Sequence, residues 1–260
     1  MLLYVVVMVV GVTQLHGVVY VVCYKSSTIC RYNATTHEQL TGIDVRGLRR
    51  PRDIAACQQT SQLYVADWGA EEACVWRVSS DREDIKRCWT QSPFDEFRPW
   101  TLSVMSSQVV MTSLHTRQLI QLDAGGDELG RVRLPGDMDT VQHAVQSPTG
   151  TFIVSHYNTQ LNQWQVSEVN TEGRVLCEFN RCPSLREPEH IAIDSQGNIF
   201  VANSGYSHIL LLDAQLVLRR VIIDEHQLND KRPRRLYYNE QSAQLIVGFT
   251  DGSVAVFAVL

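Results

Sequence analysis

Two histidines in this chain stand at the start of short apolar runs, His143-Ala-Val and His190-Ile-Ala-Ile. Neutral imidazole can ligate a metal or carry a proton, so both positions invite a chemical reading. Catalytic zinc takes three protein ligands and keeps one position open. Here His143 and His190 supply two, and His156 and His115 are the further candidates. Calcium would need several hard oxygens converging on one point. Asp53, Asp67, Asn158, Asn203 and Asp251 could offer them, but Asx residues at strand ends more often cap their own turns. The balance favours histidines that hydrogen-bond at strand ends; no cofactor is expected, and His143 and His190 are only a weak metal pair. The chain has no Gly-x-Ser-x-Gly elbow, no phosphate loop and no His-Glu-x-x-His motif.

Arginine gives a second chemistry. Three connections carry it: Arg46-Gly-Leu-Arg49-Arg50-Pro-Arg52, Phe97-Arg98-Pro-Trp100 and Lys231-Arg-Pro-Arg234-Arg235. Trp68, Tyr24, Tyr157 and Tyr206 end nearby strands. Guanidinium groups form bidentate contacts with carboxylate or phosphate, and aromatic rings stack on bases or apolar side chains. The formal net charge of −5 argues against a dedicated nucleic-acid binder but leaves a local basic face open. A protein or acidic peptide is the favoured partner, with RNA as the alternative on the same face. Nothing points to a membrane or to a small-molecule substrate.

These residues recur at a fixed period. QLYVADWGA (62–70), QVVMTSLHT (108–116), TFIVSHYNT (151–159), NIFVANSGY (198–206) and QLIVGFTDG (244–252) all follow the pattern set by VVYVVCYKS (18–26). Each is an apolar core that ends in turn-forming residues. The spacing is about 43–47 residues, in the range of propeller blades. Further strand-like runs flank each copy, giving four antiparallel strands per unit. No helical period competes. The expected fold is all-β: a six-bladed β-propeller of four-stranded blades in one domain, with blades at about 1–46, 47–92, 93–135, 136–181, 182–227 and 228–260. The last blade runs out after its third strand. Met1 to Val6 could complete it, yet the first inner strand near Met8–Val12 leaves little chain for the crossing. The reading therefore leans to an incomplete last blade in a chain that continues upstream.

Aligning the repeats places one residue per blade around the channel mouth on one face, called top here: Val10, Asp53, Thr101, His143, His190 and Arg235. The expected top-face binding residues are Arg49, Arg50, Arg52, Trp68, Arg98, Trp100, His143, His156, Tyr157, His190, Tyr206, Arg234 and Arg235.

The best-preserved copy, Pro188-Glu-His-Ile-Ala-Ile-Asp-Ser-Gln-Gly-Asn-Ile-Phe-Val-Ala-Asn-Ser-Gly205, resembles the NHL repeat. A weaker copy, Pro51 to Gly69, lacks the turn glycine and the aspartate. The resemblance covers the whole chain as a fold. It implies a scaffold like the C-terminal propeller of tripartite-motif proteins, which follows a RING, B-boxes and a coiled coil and binds protein substrates or RNA. Substrate recognition in ubiquitination is its finer implication, and the function expected is non-enzymatic binding. The alternative is a metal-dependent lyase or lactonase, as in related six-bladed enzymes.

Seven cysteines lie scattered without a Cys-x-x-Cys pair, which suits reduced, mostly buried thiols in the cytoplasm. An extracellular chain would instead use the apolar N-terminus as a signal, glycosylate the Asn33-Ala34-Thr35 sequon and pair Cys177 with Cys182. The N-terminal run has no basic flank and is rich in β-branched residues, so it reads as a strand.

Overall fold

The structure, a computed structural model, describes residues 2–4, 8–69, 72–179 and 185–259. The described residues form six four-stranded antiparallel sheets. Each sheet begins at the centre with Val9–Leu15, Pro51–Cys57, Thr101–Met105, Met138–Gln146, Pro188–Ile193 or Pro233–Asn239. These inner strands lie against one another in chain order, and the last lies against the first, so the ring closes into a propeller.

Burial falls outward along each blade and explains the sequence pattern. The second strands are nearly all buried, as in Ile199–Asn203, and read as unbroken apolar runs. The fourth strands face solvent on one side, so Gln39–Asp44 and Glu128–Arg133 admit polar residues at alternate positions. Six apolar clusters fill the six clefts between neighbouring blades. Val22 and Ile29 pack on Ile54 and Val65 in the cleft between the first two blades. Val12 and Val21 meet Ile246 and Val254 where the last blade meets the first. A single sheet would leave both of its faces wet, so closure of the ring buries the core.

The last blade is completed, contrary to the expected shortfall. Its chain supplies three strands, and Leu2–Tyr4 pairs antiparallel to Ser253–Ala258 as the fourth, with Leu3 opposite Val254. The N-terminal apolar run thus holds both this strand and Val9–Leu15.

The turn between the first two strands of the fifth blade shows how local chemistry sets a hairpin. Asp194 Oδ1 accepts from the N–H groups of Gln196 and Asn198. Gly197 takes φ +82°, where a side chain is strained. Six cysteines are unbridged, three of them buried, while Cys182 lies outside the described residues and with it the pairing to Cys177. Asn33 uses its side chain to accept from Thr35 and Thr36 N–H. Among the described residues no helix is long and apolar enough to cross a membrane.

Candidate functional site

The top of the channel is built from the inner strands where they begin. In three blades a proline pairs with the end of the second strand, one residue bulges, and the next points inward. These triplets are Pro51-Arg52-Asp53, Pro188-Glu189-His190 and Pro233-Arg234-Arg235. The first blade shows the same bulge between Val9 and Gly11. The residue equivalent to Asp53 is therefore Gly11, and the expected Val10 is the bulged residue. No proline marks that bulge, so alignment from the sequence slipped by one position.

With this register the ring is Gly11, Asp53, Thr101, His143, His190 and Arg235, and its side chains clasp each blade to the next. Asp53 Oδ2 accepts the Leu102 N–H at 2.9 Å. His143 Nδ1 accepts the Ile191 N–H at 3.2 Å, and His190 Nδ1 accepts the Leu236 N–H at 3.4 Å. The two donor residues reach the neighbouring carbonyl instead: Thr101 Oγ1 donates to Gln142 O at 3.0 Å, and Arg235 Nε to Val10 O at 2.7 Å. Gly11 has no side chain to offer, and Asp53 Oδ1 caps its own neighbour, Ile54 N–H, at 2.9 Å. The gap at Gly11 lets Arg235 cross to the second blade, 3.5 Å from Asp53 Oδ1 and 3.3 Å from Arg52 O.

This ring is sealed from solvent. Asp53, His143 and Arg235 are each 1 % exposed and His190 is 6 % exposed, so His143, His190 and Arg235 are not open top-face residues. The two imidazoles stack with centroids 3.6 Å apart. Burial pushes His143 and His190 well below the usual histidine range, helped at His143 by the charge of His190 and at both by Arg235. Burial also pushes Asp53 up, against the pull of Arg235 and two backbone N–H groups.

Ligand-capable atoms of Asp53, His143 and His190 lie within 4.8 Å of one another, which is a metal-like grouping. Their hydrogen bonds argue against that use. A neutral imidazole has one lone pair. Each Nδ1 gives it to a backbone N–H, which leaves the proton on Nε2. His143 Nε2 then faces Leu102 O at 3.3 Å, and His190 Nε2 faces Asp53 Oδ2 at 3.6 Å. Both Asp53 oxygens are occupied by N–H donors. A divalent ion would also sit beside the Arg235 guanidinium in a buried site. The grouping does the work of a structural clasp.

The remaining candidates separate. His156 is fully buried inside its blade, with Nε2 2.9 Å from Ser167 Oγ and its pKa lowered to about 4 by burial. It does not lie on an open face. His115 is exposed and stands apart from the metal-like group. Tyr157 packs edge-on against Trp164 and donates to Asn162. Tyr206 is 42 % exposed and stacks on His208. Arg234 is held by Glu189 at 3.4 Å and by Met8 Sδ.

One group does come together on the top face. The Arg52 guanidinium lies 3.9 Å from the Trp68 ring centroid, 5.1 Å from Trp100 and 5.2 Å from Tyr24. Trp68 and Trp100 are 5.4 Å apart, and their indole N–H groups donate to Pro99 O and Gln142 Oε1. The cage is thus fixed by bonds that leave the ring faces to Arg52. Half-burial lowers the Arg52 pKa, yet arginine keeps its charge. Among the described residues Arg52 has no carboxylate partner, and its Nε is buried without a hydrogen-bond partner. Arg49, Arg50 and Arg98 are exposed on the flanking connections. Asp67 fixes the first connection by accepting the Arg49 and Arg50 N–H groups at 3.1 and 2.7 Å, the turn-capping role expected of it.

No family model and no curated protein matches the sequence. Solved structures do match in shape. A streptogramin B lyase superposes with TM-score 0.69 at 11% identity, covering 100% of this chain and 87% of the lyase. A chain of a nidogen/laminin complex gives 0.68 at 12% identity, with 87% and 83% covered. The WD40 β-propeller domain of Doa1 gives 0.66 at 13% identity, with 99% and 95% covered. At these identities the likeness shows the propeller fold alone, and it spans a lyase, a chain of a protein complex and a WD40 domain.

Proposed function

We propose that this propeller is a non-enzymatic binding module whose top face holds an acidic segment of a partner protein. The observation that supports this most is Arg52, caged by three aromatic rings with no carboxylate partner among the described residues. Arg52 is pre-positioned, so an incoming carboxylate need not order the side chain. Arg49, Arg50 and Arg98 add the surrounding positive field, and Trp68 and Trp100 add apolar area of the kind that anchors interfaces. The likeness to a chain of the nidogen/laminin complex is consistent with the reading and does not name the partner. Recognition of substrates for a ubiquitin ligase of the tripartite-motif kind is the finer form, and it rests on the Pro188–Gly205 motif alone.

The test is fluorescence anisotropy with an Asp/Glu-rich peptide and, in parallel, an oligouridylate. The peptide is expected to bind, and Arg52→Ala to weaken it about tenfold or more, in line with loss of an anchoring arginine. Tighter binding of the oligonucleotide, with a steep salt dependence, replaces this reading with RNA recognition. Binding of neither sinks both.

A further inference from the structure

Below the sealed ring the channel widens into a cavity of about 380 Å³, at the small end of the range of small-molecule sites. Ile54, Val104, Val145 and Ala192 supply apolar wall, and His143 and His190 close its inner end. The inner strands are sheet edges, which present unpaired backbone N–H and C=O groups. Ser103 lines the wall, and its Oγ is covered within that wall without a hydrogen-bond partner. A turn about χ1 brings this orphaned hydroxyl into the cavity, where a ligand satisfies it.

The charge at the open end is one-sided. Asp194 and Glu240 line it beside Ser195 and Met105, and among the described residues no lysine or arginine does. Neither carboxylate takes part in an ion pair among those residues. Glu240 is held in place by the Ser195 N–H and hydroxyl, and Asp194 by its own turn. Tyr237 and Tyr238 also line the cavity, Tyr238 with its ring 4.4 Å from that of Phe200. Fixed negative charge next to aromatic rings favours a cation.

We propose that the channel binds a small organic cation, an amine or quaternary ammonium with a body the size of one aromatic ring. The body lies between the inner strands with Ser103 Oγ as a polar contact, and the charged end lies at the rim beside Asp194 and Glu240. This site is at the opposite end of the channel from Arg52 and does not depend on the top-face reading.

Isothermal titration with phenethylamine, phenethyl alcohol and phenylacetate separates charge from shape. The amine is expected to bind most tightly and the carboxylate least. Glu240→Gln keeps the Ser195 contacts and is expected to weaken the amine about fivefold, the effect of one exposed charge at contact, with the alcohol unchanged. Ser103→Leu fills the cavity and is expected to abolish both. Met105→Trp blocks the mouth with a substitution outside the core and serves if Ser103→Leu unfolds. Equal binding of amine and carboxylate, no binding of the amine, or unchanged amine binding in Glu240→Gln or Met105→Trp would overturn the proposal.

Discussion

At the top of the channel, five of the six ring positions bond the backbone of the next blade. At the bottom, the walls end in serine, methionine and carboxylates that face open space. The two ends are built from the same six strands, read at their beginnings and at their ends. The polar and titratable groups that look most chemical by residue type sit in the closed end, where each is matched to a neighbour. The open end is lined by residues that look ordinary. In this propeller the buried histidine pair serves the clasp, and the sites proposed for ligands are a caged arginine outside the ring and a cavity beneath it.

The contrast can be broken hardest at Asp53. Asp53→Ala takes from the buried Arg235 its nearer carboxylate, with Glu189 left at 3.8 Å, and leaves Leu102 N–H without its acceptor. The expected loss is about 3–5 kcal/mol in denaturant unfolding, typical of breaking a buried pair. A loss below about 1 kcal/mol would mean that the ring is not a clasp. Gly11→Ala tests the gap directly. Its Cβ would lie 2.6 Å from Ile54 N and 2.9 Å from Asp53 Oδ1, so crowding is expected to cost about 1–3 kcal/mol.

Acid should act on the closed structure through its neutral histidines. His156 has a folded pKa of about 4, below its ordinary value near 6.5. The unfolded chain therefore takes up its proton first as pH falls. This contribution to stability is complete above about pH 6.5 and is lost as pH drops toward 4, about 2 kcal/mol of it by pH 5. His143 and His190 shift in the same direction and add to the loss. Melting temperature is expected to fall between pH 7 and 5, and His156→Gln to flatten that slope. The smallest effect on stability belongs to Arg52→Ala, within about 1–2 kcal/mol for a half-buried cation–π cage, even as peptide binding weakens.

Much of the architecture was legible because every blade repeats the same apolar runs. The second strands are buried on both faces and so carry a continuous signal. The ring was legible where a proline precedes the bulge, at Asp53, His190 and Arg235. It was misread in the first blade, where Val9 replaces the proline and the bulge moved the inward position to Gly11. Exposure was not legible. Whether His143 faces water depends on Ile191 and Leu102, which arrive from other blades. The cavity left no signal, since Val145 and Ala192 are common strand residues that meet Ile54 only after closure. The arginine cage was partly legible: the arginines and tryptophans stood out, but not which arginine would lie among the rings.

The Arg235–Asp53 pair also sets an order of events during synthesis. Asp53 is made early and its cation close to the end of the chain. Until Arg235 docks across Gly11, the second blade holds a carboxylate with no counter-ion in the ring, which keeps water at that mouth. The nascent propeller is thus expected to stay hydrated at its centre through five blades and to dry in one late step. In refolding experiments that step would appear as protection of the Leu102 and Ile54 amides arriving together with the last blade.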